Sequence, residues 1–548
     1  MFDRSPEYFT PQETALLQPF VTNTERPIFC LRNLPEVVKG ALFSRYSRST
    51  RSLRRLLLDE FINAPESGFS AIVAGAGANA TEQLVAVRQA EAFYDRVLIG
   101  YGDDSVAELG GAHIACEGVS NIAAKLLEDS RLGLSPLEKS TRYVRFDQQG
   151  PEGYAYLREP ALMASRYATR FTAAMDDLFR TYSALLEPVQ AWVQARFPRD
   201  PTVSARAYAS AVQAKSCDLL RGLLPMATRT NVGLFGNGRA FEYLLIKLAA
   251  APFAEARQLS QAMQAELDQV IPSFVKRSKS ERGEAYAAYL TATREQVAAR
   301  AAGLDLPSLP EDDVTVRLVD FDPQAELKTV AAILYPHLDL PLAALYELVA
   351  TMPESERVAL INAAVGERAT RFQRPGRAFE EPYYTFDILA DIGAYRDLQR
   401  HRVLTQERQR FTVVHGFIVP PELEEIGVAH AYSAAMQQAA EVYTAMQAEF
   451  PHEAQYAVPF GFRVRWRVKL NLREAYHLLE LRSARQGHPT YRQIAQAMFR
   501  EISAVHPTLA RGMRFVDQNT YDLERLAAEQ RLDQKRQRRD TGGVGDGA

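Results

Sequence analysis

At 548 residues the chain is longer than one hydrophobic core usually supports, and its 47% hydrophobic and 24% charged residues are typical of water-soluble globular proteins. The 64 Lys and Arg nearly balance the 67 Asp and Glu, so the net charge of −3 argues against a general nucleic-acid-binding protein. Three cysteines far apart in the sequence argue against a disulfide framework and a cysteine metal site, and no apolar run is long enough for a membrane span or a signal peptide. The composition therefore predicts a cytoplasmic protein of two or more domains with no membrane contact.

Changes in composition along the chain predict where the domains begin and end. Residues 1–26 are polar and contain prolines, which indicates an arm on the surface. Globular patterns occupy residues 27–280 and resume, with an alternating strand pattern, at residues 313–530. The polar, alanine-rich residues 281–312 between them are predicted to be a linker. Residues 531–548 are basic and then glycine-rich, which predicts a disordered tail.

Arginines crowd around one histidine in the second half of the chain. The segment Tyr395–Phe411 contains Arg400-His401-Arg402 and follows an aromatic stretch, Tyr383–Ile388, whose alternation predicts a half-buried strand. Guanidinium groups are always charged and form rigid forks that match phosphate and carboxylate geometry. The cluster therefore indicates a site for a phosphorylated ligand. The alternative is a helix whose arginines pair with nearby carboxylates and whose histidine is satisfied within the core.

A second polar constellation lies in the first half, in the segment Ser135–Tyr143. A carboxylate, a hydroxyl and a guanidinium at this spacing in a loop can surround one polar ligand, with Ser140 and Arg142 taking an anionic end and Glu138 accepting donors. The alternative reading is a capped helix start with a surface ion pair.

Two passages of the chain echo each other, which indicates an internal repeat. Both contain a proline turn, an Asn-x-Arg sequence, an apolar helix and a further arginine; the members are Leu224-Pro225, Asn237-Gly238-Arg239 and Arg257 in the first half, and Val458-Pro459, Asn471-Leu472-Arg473 and Arg492 in the second. Duplicated units commonly pack as a pseudo-dimer, in which one copy can supply residues that the other has lost.

These motifs resemble those of the flavin-dependent thymidylate synthases, whose hallmark runs Arg-His-Arg-x-x-Ser-x-Asn-Glu-x-Ser-x-Arg-Tyr. The second half has the front of this hallmark as Arg400-His401-Arg402, with Thr405 in place of the first Ser, and then departs from it. The first half has the back of the hallmark instead; the matching residues are Ser135, Glu138, Ser140, Arg142 and Tyr143. The hallmark is thus split between the two halves.

The resemblance implies an α+β fold built from two divergent copies, each a twisted β-sheet packed with helices. It implies conversion of dUMP to dTMP, with methylenetetrahydrofolate as the carbon donor, FAD as cofactor and NADPH as reductant. Because the family is tetrameric and shares each active site among subunits, it also implies a homodimer of tandem chains that imitates the tetramer.

The resemblance assigns three sets of site residues and no metal. The cofactor-binding set is Arg400, His401, Arg402 and Glu381, the last standing where the family has a flavin-contacting histidine. The substrate-binding set is Ser135, Glu138, Ser140, Arg142, Arg239 and Arg473. Arg257 and Arg492 are expected to be catalytic, because a guanidinium near the pyrimidine carbonyl would stabilise developing negative charge.

Two other functions remain open from the sequence. The first is a degenerate, non-catalytic paralogue that binds flavin or nucleotide or acts as an interaction protein, which the departures at Leu132, Glu381 and Arg410 favour. The second is an RNA-binding protein that uses the basic clusters, which the near-neutral charge and the absence of interleaved aromatics disfavour.

Overall fold

The computed structural model describes residues 7–63, 106–307 and 315–542. The helices, in chain order, are α1 Pro11–Leu17, α2 Glu36–Tyr46, α3 Leu53–Leu56, α4 Asn121–Glu128, α5 Pro160–Met163, α6 Ala168–Arg196, α7 Ala205–Leu220, α8 Gly238–Ala249, α9 Ala254–Leu267, α10 Pro272–Val275, α11 Glu281–Ala302, α12 Ala325–Leu334, α13 Leu342–Thr351, α14 Glu354–Val365, α15 Ile392–Leu398, α16 Pro421–Ile426, α17 Ala429–Met446, α18 Leu472–Arg482, α19 Pro489–Val505, α20 Pro507–Ala510 and α21 Leu526–Gly542. The strands are β1 Gly111–Ser120, β2 Leu134–Glu138, β3 Gln149–Gly150, β4 Gly153–Tyr154, β5 Arg229–Asn237, β6 Val316–Phe321, β7 Tyr383–Asp391, β8 Thr405–Arg408 and β9 Arg463–Asn471. A π-helical segment, Leu57–Ile62, follows α3, and short 3-10 helices include Arg221–Leu223, Lys276–Lys279 and Arg377–Glu380.

The chain forms two compact units, and these do not coincide with the two predicted repeats. The first unit comprises Met1–Gly118, Leu126–Glu138 and Asn231–Pro307, and the second comprises Val119–Lys125, Lys139–Thr230 and Ser308–Ala548. A large part of the first predicted repeat, residues 139–230, therefore belongs to the same unit as the second repeat. The repeat boundaries themselves stay a prediction.

The first unit contains a three-stranded sheet in the order β1-β5-β2. Strand β2 is antiparallel to β5, from Leu134 opposite Gly236 to Glu138 opposite Val232. Alternate residues of β5 are buried, as expected for a strand with one face on a core. Strand β5 runs directly into α8, which packs against α9 and α11.

The second unit contains a four-stranded antiparallel sheet in the order β6-β7-β9-β8. Its central pair runs in register from Tyr383 opposite Asn471 to Asp391 opposite Arg463. The predicted aromatic strand is thus confirmed as β7. Helix α19 packs on β6 and on α18, and the long helices α6 and α17 pack against each other through buried apolar faces.

The same succession of elements occurs in both halves. In each, a strand, a short helix and a second strand are followed later by a strand that passes through an asparagine into a helix, and the sheet orders β1-β5-β2 and β7-β9-β8 correspond. The asparagine caps the helix in both copies: the Asn237 side chain accepts from the backbone N–H of Ala240, and the Asn471 side chain from that of Glu474, each at 2.8 Å. The structure therefore confirms the predicted α+β fold of two related copies.

Within the second unit the proline turns of the two copies pair with each other. The Met226 N–H donates to the Val458 carbonyl at 2.9 Å, and the Phe460 N–H donates to the Leu224 carbonyl at 2.9 Å. This reciprocal exchange of hydrogen bonds is what a local two-fold relation between duplicated segments produces.

Close approach of the two turns requires glycine on both sides. A Cβ on Gly461 would lie 2.6 Å from the Tyr432 hydroxyl oxygen, and a Cβ on Gly222 would overlap the same hydroxyl. The Gly461 N–H donates to the Gly222 carbonyl at 2.9 Å. The contact between the copies is therefore made by backbone at short range, for which only glycine leaves room.

Two predicted segments contain more regular structure than the composition suggested. The predicted linker, residues 281–312, includes the helix α11. Residues 531–542 of the predicted disordered tail belong to α21, which packs against α7. Both stretches are rich in Ala, Leu, Glu, Gln, Lys and Arg, the strongest helix formers, so a polar composition there is compatible with a surface helix. No helix in the described ranges combines the length and the apolar character needed to cross a membrane.

Candidate functional site

The Arg400-His401-Arg402 segment lies in the connection between α15 and β8, in the second unit. The predicted alternative of a continuous helix is limited to Ile392–Leu398, so the segment itself is not helical. His401 is buried, with 4% of its surface exposed, whereas Arg400 and Arg402 on either side of it are exposed. The loop thus turns its histidine inward and carries its two guanidinium-bearing residues on the surface.

Both ring nitrogens of His401 have protein partners. Arg482 donates its Nε–H to His401 Nε2 at 2.9 Å, and His401 Nδ1 lies 2.9 Å from Oε1 of Glu474. Because a guanidinium can only donate, Nε2 must be the acceptor and Nδ1 must carry the proton. Burial and the positive charge of Arg482 lower the pKa of His401 well below its ordinary value, which agrees with a neutral imidazole. His401 thus has the geometry of the satisfied core histidine, and a role in cofactor binding stays a prediction.

Glu474 and His477, both on the first turns of α18, complete this cluster. Burial raises the pKa of Glu474 to about 7, and burial together with Arg374, Arg371 and Arg482 lowers the pKa of His477 to about 4. The ring centroids of His401 and His477 are 5.3 Å apart. The two histidines and Glu474 have ligand atoms within 4.8 Å of one another. The surrounding arginines make this an unfavourable place for a metal cation, because like charges repel.

Arg142, predicted from the first half, lies in the same unit and is buried. Its Nε and Nη2 donate to the two carboxylate oxygens of Asp218 at 2.7 and 2.6 Å, and its Nη1 donates to the Gln486 carbonyl at 3.3 Å and the Tyr491 hydroxyl at 3.2 Å. Burial alone would raise the pKa of Asp218, but the Arg142 charge outweighs burial and holds the pKa below its ordinary value. The pair is therefore ionised and held as a bidentate bridge.

Tyr491 connects Arg142 to the His401 cluster. Its hydroxyl accepts from Arg142, and the guanidinium carbon of Arg482 lies 5.6 Å from the centre of its ring. A continuous path of charged and hydrogen-bonded groups, which we call the polar network, thus runs through Asp218, Arg142, Tyr491, Arg482, His401 and Glu474. It joins the back of the split hallmark in the first half to the front of it in the second.

Further hydrogen bonds join α15 and the following Gln399 to the first half of the chain. Arg396 of α15 donates to the Thr141 hydroxyl at 3.3 Å, and the Gln399 amide donates to the Lys125 carbonyl at 2.9 Å. Asp397 accepts from Arg221 at 2.9 Å, and the charge of Arg221 keeps the pKa of that carboxyl below its ordinary value although burial opposes this. The contacts between the copies at this place are therefore polar and charged, and they are made by buried groups.

The remaining predicted residues of the first half lie in several places. Ser135 and Glu138 are on β2 in the first unit, so the expected loop begins only after Glu138; Ser135 is exposed and Glu138 is buried. The Ser140 hydroxyl accepts from the Arg142 backbone N–H at 3.3 Å. Arg239 opens α8 and bonds Glu108, and Arg257 is exposed on α9, where it donates to the Ala251 carbonyl.

The remaining predicted residues of the second half have partners within the protein. Arg473 donates to the Pro375 carbonyl at 2.9 Å and to Glu380 at 3.1 Å, and it is about one-third exposed. Arg492 is buried and donates to the carbonyls of Ser483 and Asn519, each at 2.8 Å. Glu381 is exposed at the end of a 3-10 helix. The predicted roles of these residues in binding and catalysis stay predictions.

Sequence reasoning did not identify several members of the polar network. The prediction named Arg492, whereas the residue that belongs to the polar network is its neighbour Tyr491. Glu474 follows the N-cap Asn471 by three residues, where a carboxylate ordinarily indicates helix capping or dipole stabilisation and no more. Asp218 and Arg482 lie in helical stretches without any distinguishing pattern, and only tertiary contact reveals them.

Comparison with known proteins agrees with this duplicated architecture. A family model described as "Thymidylate synthase complementing protein" matches residues 64–273 and again residues 317–508. The chain is 44% identical over 527 residues to a UPF0159 protein of Chlamydia pneumoniae, a match that covers 96% of this chain and 98% of that protein. It is 32% identical over 523 residues to a UPF0159 protein of Thermoplasma acidophilum, covering 91% and 99% respectively. A flavin-dependent thymidylate synthase of Saccharolobus solfataricus is 31% identical over 142 residues, or 24% of this chain and 53% of that enzyme.

The chain therefore belongs to the thymidylate synthase complementing protein family. The two matched segments confirm that the family unit is present twice in tandem, as the internal repeat predicted.

Proposed function

We propose that this protein is a flavin-dependent thymidylate synthase that converts dUMP to dTMP. In the net reaction, dUMP, methylenetetrahydrofolate, NADPH and a proton give dTMP, tetrahydrofolate and NADP⁺. The methylene carbon becomes bonded to the pyrimidine and leaves the folate, and NADPH is the source of the hydride that completes the methyl group. When bound, FAD supplies the hydride-transfer chemistry, which no side chain provides.

The observation that carries this proposal is the polar network, because it brings the split hallmark together. Arg142 is the arginine of the Ser-x-Arg part of the hallmark, His401 is the centre of the Arg-His-Arg part, and Tyr491 and Arg482 connect them. The buried path between these two residues holds the two parts of the hallmark in one place, as a site shared between the copies requires. Such groups are costly to bury unless all are paired.

The residues of this chain offer a donor set that suits FAD. Arg400 and Arg402 are exposed residues on either side of the buried His401, and guanidinium forks match a pyrophosphate. Arg374 and Arg371 lower the pKa of the neighbouring His477, which shows that their positive charge reaches the half-buried face of α18. We infer that these arginines hold the phosphates, whereas the polar network behind them keeps the loop in place.

The proposal is tested by titrating the purified protein with FAD and then with dUMP while recording visible absorbance. We expect flavin bands that shift on addition of dUMP, and dTMP formation once NADPH and methylenetetrahydrofolate are present. Arg402→Ala is expected to weaken FAD binding about 10-fold or more, since a charge-assisted bond contributes about 1.5–3 kcal/mol. Arg511→Ala, at an exposed arginine of the same unit, is the matched control. Absence of bound flavin at saturating FAD in folded protein would refute the proposal.

A second candidate is a non-catalytic paralogue that binds flavin or nucleotide without turnover. The observation favouring it is that Arg142 and Arg492, two of the arginines expected at the substrate, already bond protein groups and are buried. Flavin bands that respond to dUMP without any dTMP formation would select this candidate.

A further inference from the structure

Residues 517–525 follow the second segment that matches the family model, which ends at residue 508, and we call them the C-terminal strap. The strap belongs to the second unit, where it contacts Arg492, which the sequence placed near the pyrimidine, and Tyr143, the last residue of the split hallmark. Residues 516–521 belong to no helix or strand, so side chains rather than a backbone ladder hold the strap in place. Segments held in this way are among the parts of a protein that open most readily.

The strap covers the guanidinium group of Arg492. Arg492 Nη2 donates to the Asn519 carbonyl at 2.8 Å, and the guanidinium carbon lies 4.9 Å from the centre of the Tyr521 ring. Only 4% of the Arg492 side chain is exposed. Its Nε donates to the carbonyl of Ser483, a residue outside the strap, so this bond persists when the strap lifts and keeps the guanidinium oriented. Arg492 can therefore meet a ligand only after the strap has moved.

Tyr521 is the strap residue that contributes most to the cover. Its ring contacts two guanidinium groups, with carbons at 4.9 Å for Arg492 and 4.5 Å for Arg485. Its hydroxyl donates to the Asp517 carboxylate at 2.9 Å, which joins the two ends of the irregular stretch. Cation–π contacts and single hydrogen bonds are each modest, so the closed position is one that a ligand or a single substitution can disturb.

Arg525, at the other end of the strap, is held in an unfavourable place. Its guanidinium carbon lies 3.7 Å from the centre of the Tyr143 ring, and its buried Nε has no hydrogen-bond partner among the described residues. Burial and the like charge of Arg142 lower the pKa of Arg525 to about 10. An unpaired buried donor and a nearby like charge both oppose the closed position, and lifting the strap relieves both.

The groups on which the strap rests are arranged so that it can lift without unfolding its surroundings. Buried Lys215 lies 3.1 Å from Glu524 of the strap and 3.3 Å from Glu422 of α16, so Glu422 still neutralises its charge when Glu524 leaves. Before the strap, the Gly512 carbonyl accepts from Arg368 at 2.8 Å, and after it α21 packs against α7. Both ends therefore stay anchored while the segment between them moves.

We propose that the C-terminal strap is autoinhibitory: closed, it covers Arg492 and Tyr143, and a nucleotide bonds Arg492 only when the strap has lifted. This inference rests on the proposed function, because it takes Arg492 to be an arginine that meets dUMP. Since dUMP then binds only the open form, its apparent dissociation constant is the intrinsic value divided by the open fraction. Weakening the closed form therefore tightens dUMP binding, whereas the loss of a ligand contact would weaken it.

The closed position is tested by the rate at which phenylglyoxal modifies Arg492 in the full-length protein, read by mass spectrometry of the peptide that contains it. Tyr521→Ala is expected to raise this rate about fivefold or more, since the ring no longer covers the guanidinium. Tyr335→Ala, at a tyrosine of the same unit that is 56% exposed, is the matched control and should leave the rate unchanged.

The coupling to ligand is tested by isothermal titration calorimetry with dUMP, without folate or NADPH. Tyr521→Ala and Glu524→Gln are each expected to bind dUMP about threefold or more tightly than the wild type, because each weakens the closed form. Asp522→Asn, at an exposed carboxylate of the strap, is the control for Glu524→Gln and should bind as the wild type does. In the wild type, saturating dUMP should speed hydrogen exchange of the amides in residues 517–525, which a purely structural segment would not show.

The proposal is overturned if Tyr521→Ala leaves the modification rate of Arg492 unchanged, if neither strap variant binds dUMP more tightly than the wild type, or if dUMP protects the strap amides from exchange. Glu524→Gln replaces Tyr521→Ala in both measurements if the latter does not fold. A gain in dUMP affinity without flavin bands or dTMP formation supports the strap and refutes only the proposed thymidylate synthase activity. Flavin bands and dTMP formation with wild-type dUMP affinity in both variants support that activity and overturn the strap.

Discussion

His401 shows how its neighbours decide the chemistry of a single residue. The guanidinium of Arg482 donates to Nε2, which forces the proton onto Nδ1 and directs it to Glu474. An imidazole held in this way cannot take a further proton without losing the Arg482 bond. His401 therefore anchors the Arg400–Arg402 loop in the core, and we expect the arginines beside it, both exposed residues, to meet the ligand.

Glu474 is expected to make the stability of the protein depend on pH near neutrality. Burial raises its pKa from the ordinary 4.5 to about 7, so between these values the folded state keeps a proton that the unfolded chain has lost. The contribution to stability is fully present below pH 4.5 and falls by about 3 kcal/mol as pH rises to 7. Glu474→Gln cannot ionise, and we expect urea denaturation of this variant to lack the decline.

Glu501→Gln is the matched control for this prediction, because Glu501 is an exposed residue of α19 in the same unit. Between pH 5 and pH 8 the wild type and Glu501→Gln should each lose about 3 kcal/mol of stability relative to Glu474→Gln, because the buried histidines contribute the same pH dependence to all three proteins. If wild type and Glu474→Gln show the same change between the two pH values, Glu474 is ionised at both in the folded protein.

At the scale of elements, the strand-to-helix junction is the unit that the two copies share. In both, a nine-residue strand ends at an asparagine that caps the following helix, with its side chain on the N–H three residues later. The cap satisfies an N–H of the first turn, and in both copies the helix begins at the residue directly after the asparagine. What the two copies do there differs by substitution: Ala240 lines a pocket, and Glu474 bonds a histidine.

The junction between the proline turns is expected to tolerate no side chain at Gly461. In Gly461→Ala the new Cβ meets the Tyr432 hydroxyl at 2.6 Å and Met436 Cε at 2.9 Å, so we expect a loss of about 1–3 kcal/mol in the free energy of unfolding. Adding Tyr432→Phe removes the nearest atom and should restore part of this loss. Urea denaturation of the single and double variants measures both effects.

Gly376→Ala provides the control for added side-chain volume, because a Cβ there meets nothing within 4 Å and its φ is −66°. If Gly461→Ala has the same free energy of unfolding as Gly376→Ala, the two turns are farther apart than the hydrogen bond from Gly461 to Gly222 indicates.

At the scale of the whole molecule, duplication has allowed the two copies to diverge. The chain carries two family units, and the back of the hallmark persists in one and the front in the other. In the polar network, residues from the two halves of one chain contact each other. A symmetric assembly of single units would take such residues from different subunits.

We expect the chain to form a homodimer in solution, since two tandem chains contain as many family units as a tetramer of single units. Size-exclusion chromatography with light scattering should give twice the 61.3 kDa chain mass, unchanged on dilution to micromolar concentration. A mass of one chain under these conditions would show that two units suffice and would contradict the prediction.

The sequence by itself determined the fold class, the tandem repeat and the family, because these depend on local patterns. Alternation marked β7, the Asn-x-Arg motifs marked the starts of two helices, and the split hallmark marked Arg142 and His401. Each of these is a short-range signal that survives divergence, since capping and strand periodicity constrain neighbouring residues directly.

Only the tertiary structure decided how those residues are used. Asp218, Arg482 and Glu474 are ordinary charged positions on helices, and they become a network because folding buries them beside one another, where each charge must find a partner. Helix α11 likewise comes from a segment that composition assigned to a linker. Burial and partner choice depend on contacts between residues far apart in the chain, and no local pattern records them.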